Sequence, residues 1–192
     1  MKIYRAESTG TNDEVIKKKY STRRAPLNVP YLVDNLWEWT RPEGYPNRRY
    51  SIFATPSRKT AAESAYVPDA IYEVCSLTPS KAPIVQIPGI EDAKFHQDCR
   101  ELQRKLLELL GREKWTEMSL GEKKELAPLW SPCLLKEEVE ALMPPEIREG
   151  MLNAVTLWKG VKLLTFDGGL ADEVGEVFIE ADEVILRRVR GA

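Results

Sequence analysis

Strand-like alternation occupies both ends of this chain and a helix-like repeat fills its middle, so a sheet has to be built from segments on either side of a helical block. At the start, "MKIYRAE" sets Ile3 and Arg5 against Tyr4 and Ala6, the two-residue period of a short strand. A polar, basic loop follows to about Pro30. "VPYLVDNLWEWTRPEG" then shows Tyr31, Val33, Leu36, Trp37 and Trp39 at roughly helical spacing, closed by Pro42 and Gly44. "RRYSIFATPS" is a β-branched and aromatic run stopped at Thr55-Pro56-Ser57, where Ser57 is placed to cap a helix over "RKTAAESAY". "DAIYEVCSLTPS" reads as the next strand. In the middle, "IEDAKFHQDCRELQRKLLELLGREKW" reads as one long amphipathic helix with Gly111 as its C-terminal cap. Shorter helical pieces lie in "SLGEKKELAPLW" and "LLKEEVEALMPPEIREGM". "VTLWKGVKLLTF" returns to strand, and "GEVFIEADEVILRRV" reads as a terminal hairpin turning at "EAD". The order predicts a mixed α+β fold: a single domain over 1–192 with an α-helical insertion at about 90–150.

The chemistry open to such a chain is narrowed by what it lacks. Its one histidine, His96, removes His-paired metal sites and leaves little room for a Ser-His-Asp or Cys-His mechanism. Cys75, Cys99 and Cys133 are odd in number and widely spaced, which argues against a disulfide framework or a structural zinc site. No GxGxxG follows a strand and no GxxxxGK[ST] occurs, so neither common nucleotide-binding loop is present. No apolar run is long enough to span a bilayer, and "MKIYRAES" lacks a signal-peptide core; the expected compartment is the cytoplasm, with delivery into a target cell without a signal peptide left open. Charge is uneven: residues 1–60 carry twelve Lys/Arg against six Asp/Glu, the remainder sixteen against twenty-four. The clusters at Lys17–Arg24 and Arg48–Arg49 suit a phosphate-bearing ligand, a dinucleotide or a nucleic-acid backbone.

Three features appear in a fixed order: the arginine of "IYR", the Ser/Thr-bearing strand end of "YSIFATPSRKTAAESA", and the late "GEVFI". Together they resemble the ADP-ribosyltransferase superfamily in its arginine–serine–glutamate branch. The resemblance covers about a third of the chain. It implies a central split β-sheet core, NAD as substrate, and no metal. Position by position, Arg5 matches the arginine that holds a phosphate or ribose of NAD, and Glu176 the catalytic glutamate. The supporting Ser/Thr falls on Ser51 or Thr55, with Thr55 favoured by its register at the strand end. Phe53 or Tyr31 is the expected aromatic clamp on the nicotinamide. The sequence departs from the family pattern in two places. Ala54-Thr55-Pro56 stands where the branch has a Ser-Thr-Ser-like triplet, and Val174 stands two before the glutamate, where arginine-modifying members carry Glu.

Glutamate suits this chemistry on physical grounds. Nicotinamide leaves NAD as a neutral molecule, so no strong acid is needed, and a fixed anion beside the developing ribosyl cation supplies the stabilisation. The expected activity is transfer of ADP-ribose from NAD to a protein, RNA or DNA acceptor, with a role as toxin or anti-phage effector, and an antitoxin partner in that case. Two alternatives stay open: an NAD glycohydrolase that depletes NAD, and a non-enzymatic nucleic-acid-binding or adaptor domain. Of the six carboxylates between Asp172 and Glu183, the other five read as solvation of the hairpin.

Overall fold

The computed structural model describes residues 1–8, 12–67 and 70–190, so Asp69, at the head of the "DAIYEV" strand, lies outside the described residues. The chain divides into two compact units, one of Met1–Thr22, Gly44–Ala93 and Val161–Ala192, the other of Arg23–Glu43 and Lys94–Gly160. The fold is α+β, with antiparallel sheets in the first unit and helices in the second.

The first unit carries strands β1 (Tyr4–Ala6), β2 (Glu14–Lys18), β3 (Ile52–Ala54), β4 (Ile71–Thr78), β5 (Ile84–Pro88), β6 (Lys162–Leu164), β7 (Gly175–Ile179) and β8 (Glu183–Arg188). They form two four-stranded sheets, ordered β1-β4-β8-β2 and β3-β7-β5-β6. Alternation on the pleat sends Ile52, Ala54, Ile84, Val177 and Ile179 of one sheet and Tyr72, Val74, Val184 and Leu186 of the other into a shared core. The sheets are joined along one edge by a backbone bridge, Tyr4 N–H to Thr55 O at 2.7 Å and Thr55 N–H to Tyr4 O at 2.8 Å. Helix α2 (Arg58–Glu63) follows β3 directly, and Ser57 caps it as the sequence implies, its hydroxyl accepting from Thr60 N–H.

Several sequence expectations change here. The "terminal hairpin" is not one: β7 pairs with β3 and β5, whereas β8 pairs with β4 and β2. Glu180–Asp182 carries the chain from one sheet to the other instead of turning it back. Glu180 N–H donates to Pro83 O and Asp182 N–H to Thr78 O, so this crossing runs beside the one between β4 and β5. The basic loop before Pro30 contains β2, a lysine-bearing edge strand whose charge is the usual protection of an exposed edge. Strand β5 falls in "PIVQIP", an apolar run without alternation because it is covered on both faces. Only Lys162–Leu164 of "VTLWKGVKLLTF" is a strand, since Leu157–Gly160 forms a helical turn.

The helical unit contains α1 (Tyr31–Trp39), α3 (Asp98–Leu109), α4 (Leu120–Leu126), α5 (Lys136–Leu142), α6 (Pro145–Ala154) and α7 (Leu157–Gly160). Helix α3 ends at Gly111, whose φ of +68° makes the left-handed turn that glycine tolerates best. The long helix expected from Ile90 onward begins only at Asp98, with a short 3-10 turn at Ala93–Phe95 before it. Helix α1 is buried nearly all round and acts as the strut of this unit. Its polar side chains are satisfied in place. Asn35 Nδ2 donates to Leu129 O at 2.8 Å and Ser131 O at 2.7 Å, while Asn35 Oδ1 accepts from Leu134 N–H. Trp37 Nε1 donates to Asp98 Oδ2 at 2.8 Å. That same carboxylate, 2% exposed, accepts the N–H groups of Thr156 and Leu157 at the start of α7. Among the described residues no helix is long and apolar enough to cross a membrane.

Asp98 therefore gathers α1, α3 and α7 onto one buried carboxylate. Asp98→Ala leaves three buried N–H donors without an acceptor and should destabilise the fold by about 3 kcal/mol or more. The check is the denaturant midpoint of the variant against wild type, with Asp98→Asn expected between the two.

Candidate active site

The "G-E" step that opens β7 has a steric cause. Gly175 has φ +150°, and a Cβ there would stand 2.3 Å from Ile87 O on the neighbouring strand. Only glycine lets the chain lie this close to β5 as it enters the sheet. The next residue, Glu176, donates its backbone N–H to Ile90 O at 2.7 Å, and Gly89 N–H donates to Val174 O at 2.8 Å. These bonds lace the segment after β5 onto the start of β7. They also hold Gly89 and Ile90 out of the helix expected from Ile90 onward.

Glu176 is mostly buried, with its side chain 15% exposed. Its Oε2 accepts from Arg48 Nη1 at 3.3 Å and from Ala93 N–H at 3.1 Å. Among the described residues no hydrogen bond reaches Oε1. One oxygen is thus anchored and the other is presented. Burial pushes the carboxyl above its ordinary value; Arg48 opposes that rise, the nearby Asp92 adds to it, and the Ala93 amide opposes it.

Arg48 sits in the turn before β3. Its guanidinium lies 5.2 Å from the ring centroids of both Phe53 and Phe178, a cation–π arrangement on two faces. Those rings are cross-strand partners on β3 and β7, with centroids 6.2 Å apart. The turn itself is braced from within. Ser51 Oγ donates to Asn47 O at 2.7 Å, Asn47 N–H donates to Glu180 Oε2 at 2.6 Å, and Arg49 N–H donates to Asn47 Oδ1 at 3.0 Å.

The register places the remaining candidates. Ile52, Phe53 and Ala54 pair with Ile179, Phe178 and Val177, so the paired register ends one residue short of Thr55 and Glu176. Thr55 is also the residue bridged to Tyr4, at the junction of the sheets. Its Oγ1 accepts from Ser57 N–H at 3.2 Å, which leaves the hydroxyl hydrogen without an acceptor among the described residues. Arg5 follows Tyr4; its Nε donates to Glu7 Oε1 at 2.6 Å and its Nη1 to Phe53 O at 2.6 Å. Among the described residues Nη2 carries no hydrogen bond. Thr55 thus follows β3 directly, Arg5 reaches the same strand through Phe53 O, and Glu176 is the second residue of β7, the strand paired with β3.

The other sequence candidates have different places. Ser51 is fully buried and bonds its own turn, the one that carries Arg48. Phe53 is beside Glu176 but lies under the Arg48 guanidinium. Tyr31 opens α1 and belongs to the helical unit, not to the unit that carries Glu176. The basic cluster is less exposed than its sequence suggests. Arg48 is 8% and Arg49 2% exposed, Lys17 pairs with Glu7 at 2.6 Å, and Lys19 pairs with Glu180 at 2.6 Å. Glu180, read from sequence as hairpin solvation, is the brace between Lys19 and Asn47. Val174 presents an exposed apolar side chain just before the site. Sequence reasoning missed the roles of Arg48, Asp92 and the Ala93 amide; nothing in "PNRRYS" separates a buried arginine from a solvated one.

No protein-family model, no curated protein and no solved structure matches the chain.

Gly175→Ala tests how the site is positioned. The added methyl collides with the Ile87 carbonyl, so β7 has to shift; the expected cost is about 2 kcal/mol, read as a lower thermal midpoint. Gly121→Ala, which meets nothing nearer than Ser119 Oγ at 3.8 Å, serves as control and should stay within about 1 kcal/mol of wild type.

Proposed function

We propose that this chain is an NAD-dependent ADP-ribosyltransferase with Glu176 as its catalytic carboxylate. The observation that carries the reading is the state of Glu176: a mostly buried strand-start carboxylate with Oε2 held and Oε1 open, on the strand paired with β3, which Thr55 follows and to which Arg5 donates at Phe53 O. The two four-stranded sheets joined at Tyr4–Thr55 are compatible with the split-sheet core that the sequence resemblance implies.

In this reading Arg5 Nη2 donates to a phosphate oxygen of NAD and the Thr55 hydroxyl donates to the substrate beside it. The bond between ribose C1′ and the nicotinamide ring nitrogen breaks, and its electron pair leaves with nicotinamide, which becomes neutral. Positive charge develops on the ribose and is stabilised by the Glu176 carboxylate, whose Oε1 also accepts a ribose hydroxyl. The acceptor then bonds to C1′ and gives up its proton. Protein, RNA and DNA side groups are the acceptor classes, and Val174 in place of a second glutamate speaks for one other than arginine. A toxin or anti-phage role, with an antitoxin partner, belongs to this proposal. The pairing of Lys17 and Lys19 with acids, and the burial of Arg48 and Arg49, weaken the rival reading as a nucleic-acid-binding module.

The test is nicotinamide release from NAD by purified protein. Glu176→Gln should lower it by about 10²- to 10³-fold or more while keeping the fold. Activity needs the ionised carboxylate, and its pKa is raised, so the rate should fall as pH drops through a value above 4.5. Folded protein that neither binds nor cleaves NAD contradicts the reading. Free ADP-ribose as the sole product, with every acceptor class supplied, assigns the glycohydrolase alternative.

A further inference from the structure

Arg48 stands outside the three motifs that suggest the activity, yet it is the side chain that touches Glu176. Its geometry differs from that of a surface ion pair. The guanidinium is 9% exposed at the side chain, lies over Phe53 and Phe178 at 5.2 Å each, and reaches Oε2 through Nη1 at 3.3 Å. A cation held over two rings has little freedom to move, so the point from which Nη1 reaches Oε2 is fixed. The Ala93 amide closes on the same oxygen, which leaves Oε1 as the atom turned outward.

We propose that Arg48 is a positioning residue that holds Glu176 Oε2 and aims Oε1 at substrate, acting through Glu176 and not on NAD. The inference rests on the reading of Glu176 as catalytic. The charged groups around the carboxylate support it. From the segment after β5, Asp92 faces Glu176 and opposes ionisation, while Glu91 turns to Thr60. Strand β3 (Ile52–Ala54) and strand β5 (Ile84–Pro88) contribute no charged side chain. On β7's own end, Glu180 is held by Lys19 and by Asn47 N–H. Arg48 is the cation that acts on the carboxylate against both burial and Asp92. The turn built by Ser51 and Asn47 exists to deliver it. This gives the fully buried Ser51 a place in bracing that turn.

The experiment reads Glu176 directly and without NAD. Protein labelled with ¹³C at the glutamate carboxyl is titrated by NMR, with Glu176→Gln identifying the signal. Arg48→Gln should move the Glu176 titration upward by about one pH unit or more, and the acid edge of kcat/KM should move with it. Arg48→Lys keeps the charge but loses the planar stack; its titration should stay within about half a unit of wild type while kcat falls about tenfold. An unmoved Glu176 titration in Arg48→Gln overturns the inference. If Arg48→Gln does not fold, Arg48→Lys decides: a shifted acid edge or an unchanged kcat overturns it. A chain that fails to cleave NAD contradicts the proposed activity, yet still reports whether Arg48 governs the carboxylate.

Discussion

Everything in the candidate site follows from taking the Glu176 carboxylate out of most of its water. A buried anion is costly unless charge and hydrogen bonds replace the solvent, and here the replacements are one guanidinium and one backbone amide on the same oxygen. Neither could be there without further structure. The guanidinium needs the shelf of Phe53 and Phe178 and the braced turn of Asn47–Ser51. The amide needs residues 89–93 laced to β7, and that close approach needs glycine at 175. The balance still favours the proton more than in water, because burial outweighs the pairing. A carboxylate so held is worse for stability than a solvated one.

The sheet arrangement supplies the rigidity. Two short passages, Thr78–Pro83 and Glu180–Asp182, carry the chain between the sheets side by side and are hydrogen-bonded to each other. The strands that bear Glu176 and Phe53 are therefore tied at one end by this crossing and at the other by the Tyr4–Thr55 bridge. Alternation then does the sorting. Val177 and Ile179 face the shared core, and Glu176 and Phe178 face the site. In the helical unit the same logic of a satisfied buried acid recurs at Asp98, there with four groups donating and no exposed oxygen of consequence. Asp98 is built to hold elements together, whereas Glu176 retains an open oxygen.

The α+β character and most strands were legible because their side chains alternate and their ends carry Pro, Gly or a capping Ser. Glu176 and Arg5 are singled out in the sequence by short motifs, and the glycine before Glu176 has a steric cause in its close approach to Ile87 O. What sequence could not give was pairing. The alternation of β7 and β8 is the same whether they pair with each other or enter different sheets, so the crossing at Glu180–Asp182 looked like a turn. Strand β2 was hidden by its lysines and β5 by the lack of alternation that follows from being covered on both sides. Residues 90–93 have helical composition, but Ile90 O and Ala93 N–H are taken up by Glu176 instead of by an α-helical ladder. Arg48 was invisible as a site residue because the sequence says only that it is charged. Its burial and ring contacts depend on Phe178, which lies 130 positions later.

In the proposed function, Glu176 Oε1 is the atom offered to the nicotinamide ribose of NAD. A crystal structure of the chain bound to a carbocyclic, uncleavable NAD analogue addresses it most directly. The account predicts a ribose hydroxyl within hydrogen-bond distance of Oε1, about 2.6–3.2 Å, with an analogue phosphate on Arg5. An analogue bound elsewhere, or one that leaves Oε1 facing only solvent, would contradict it.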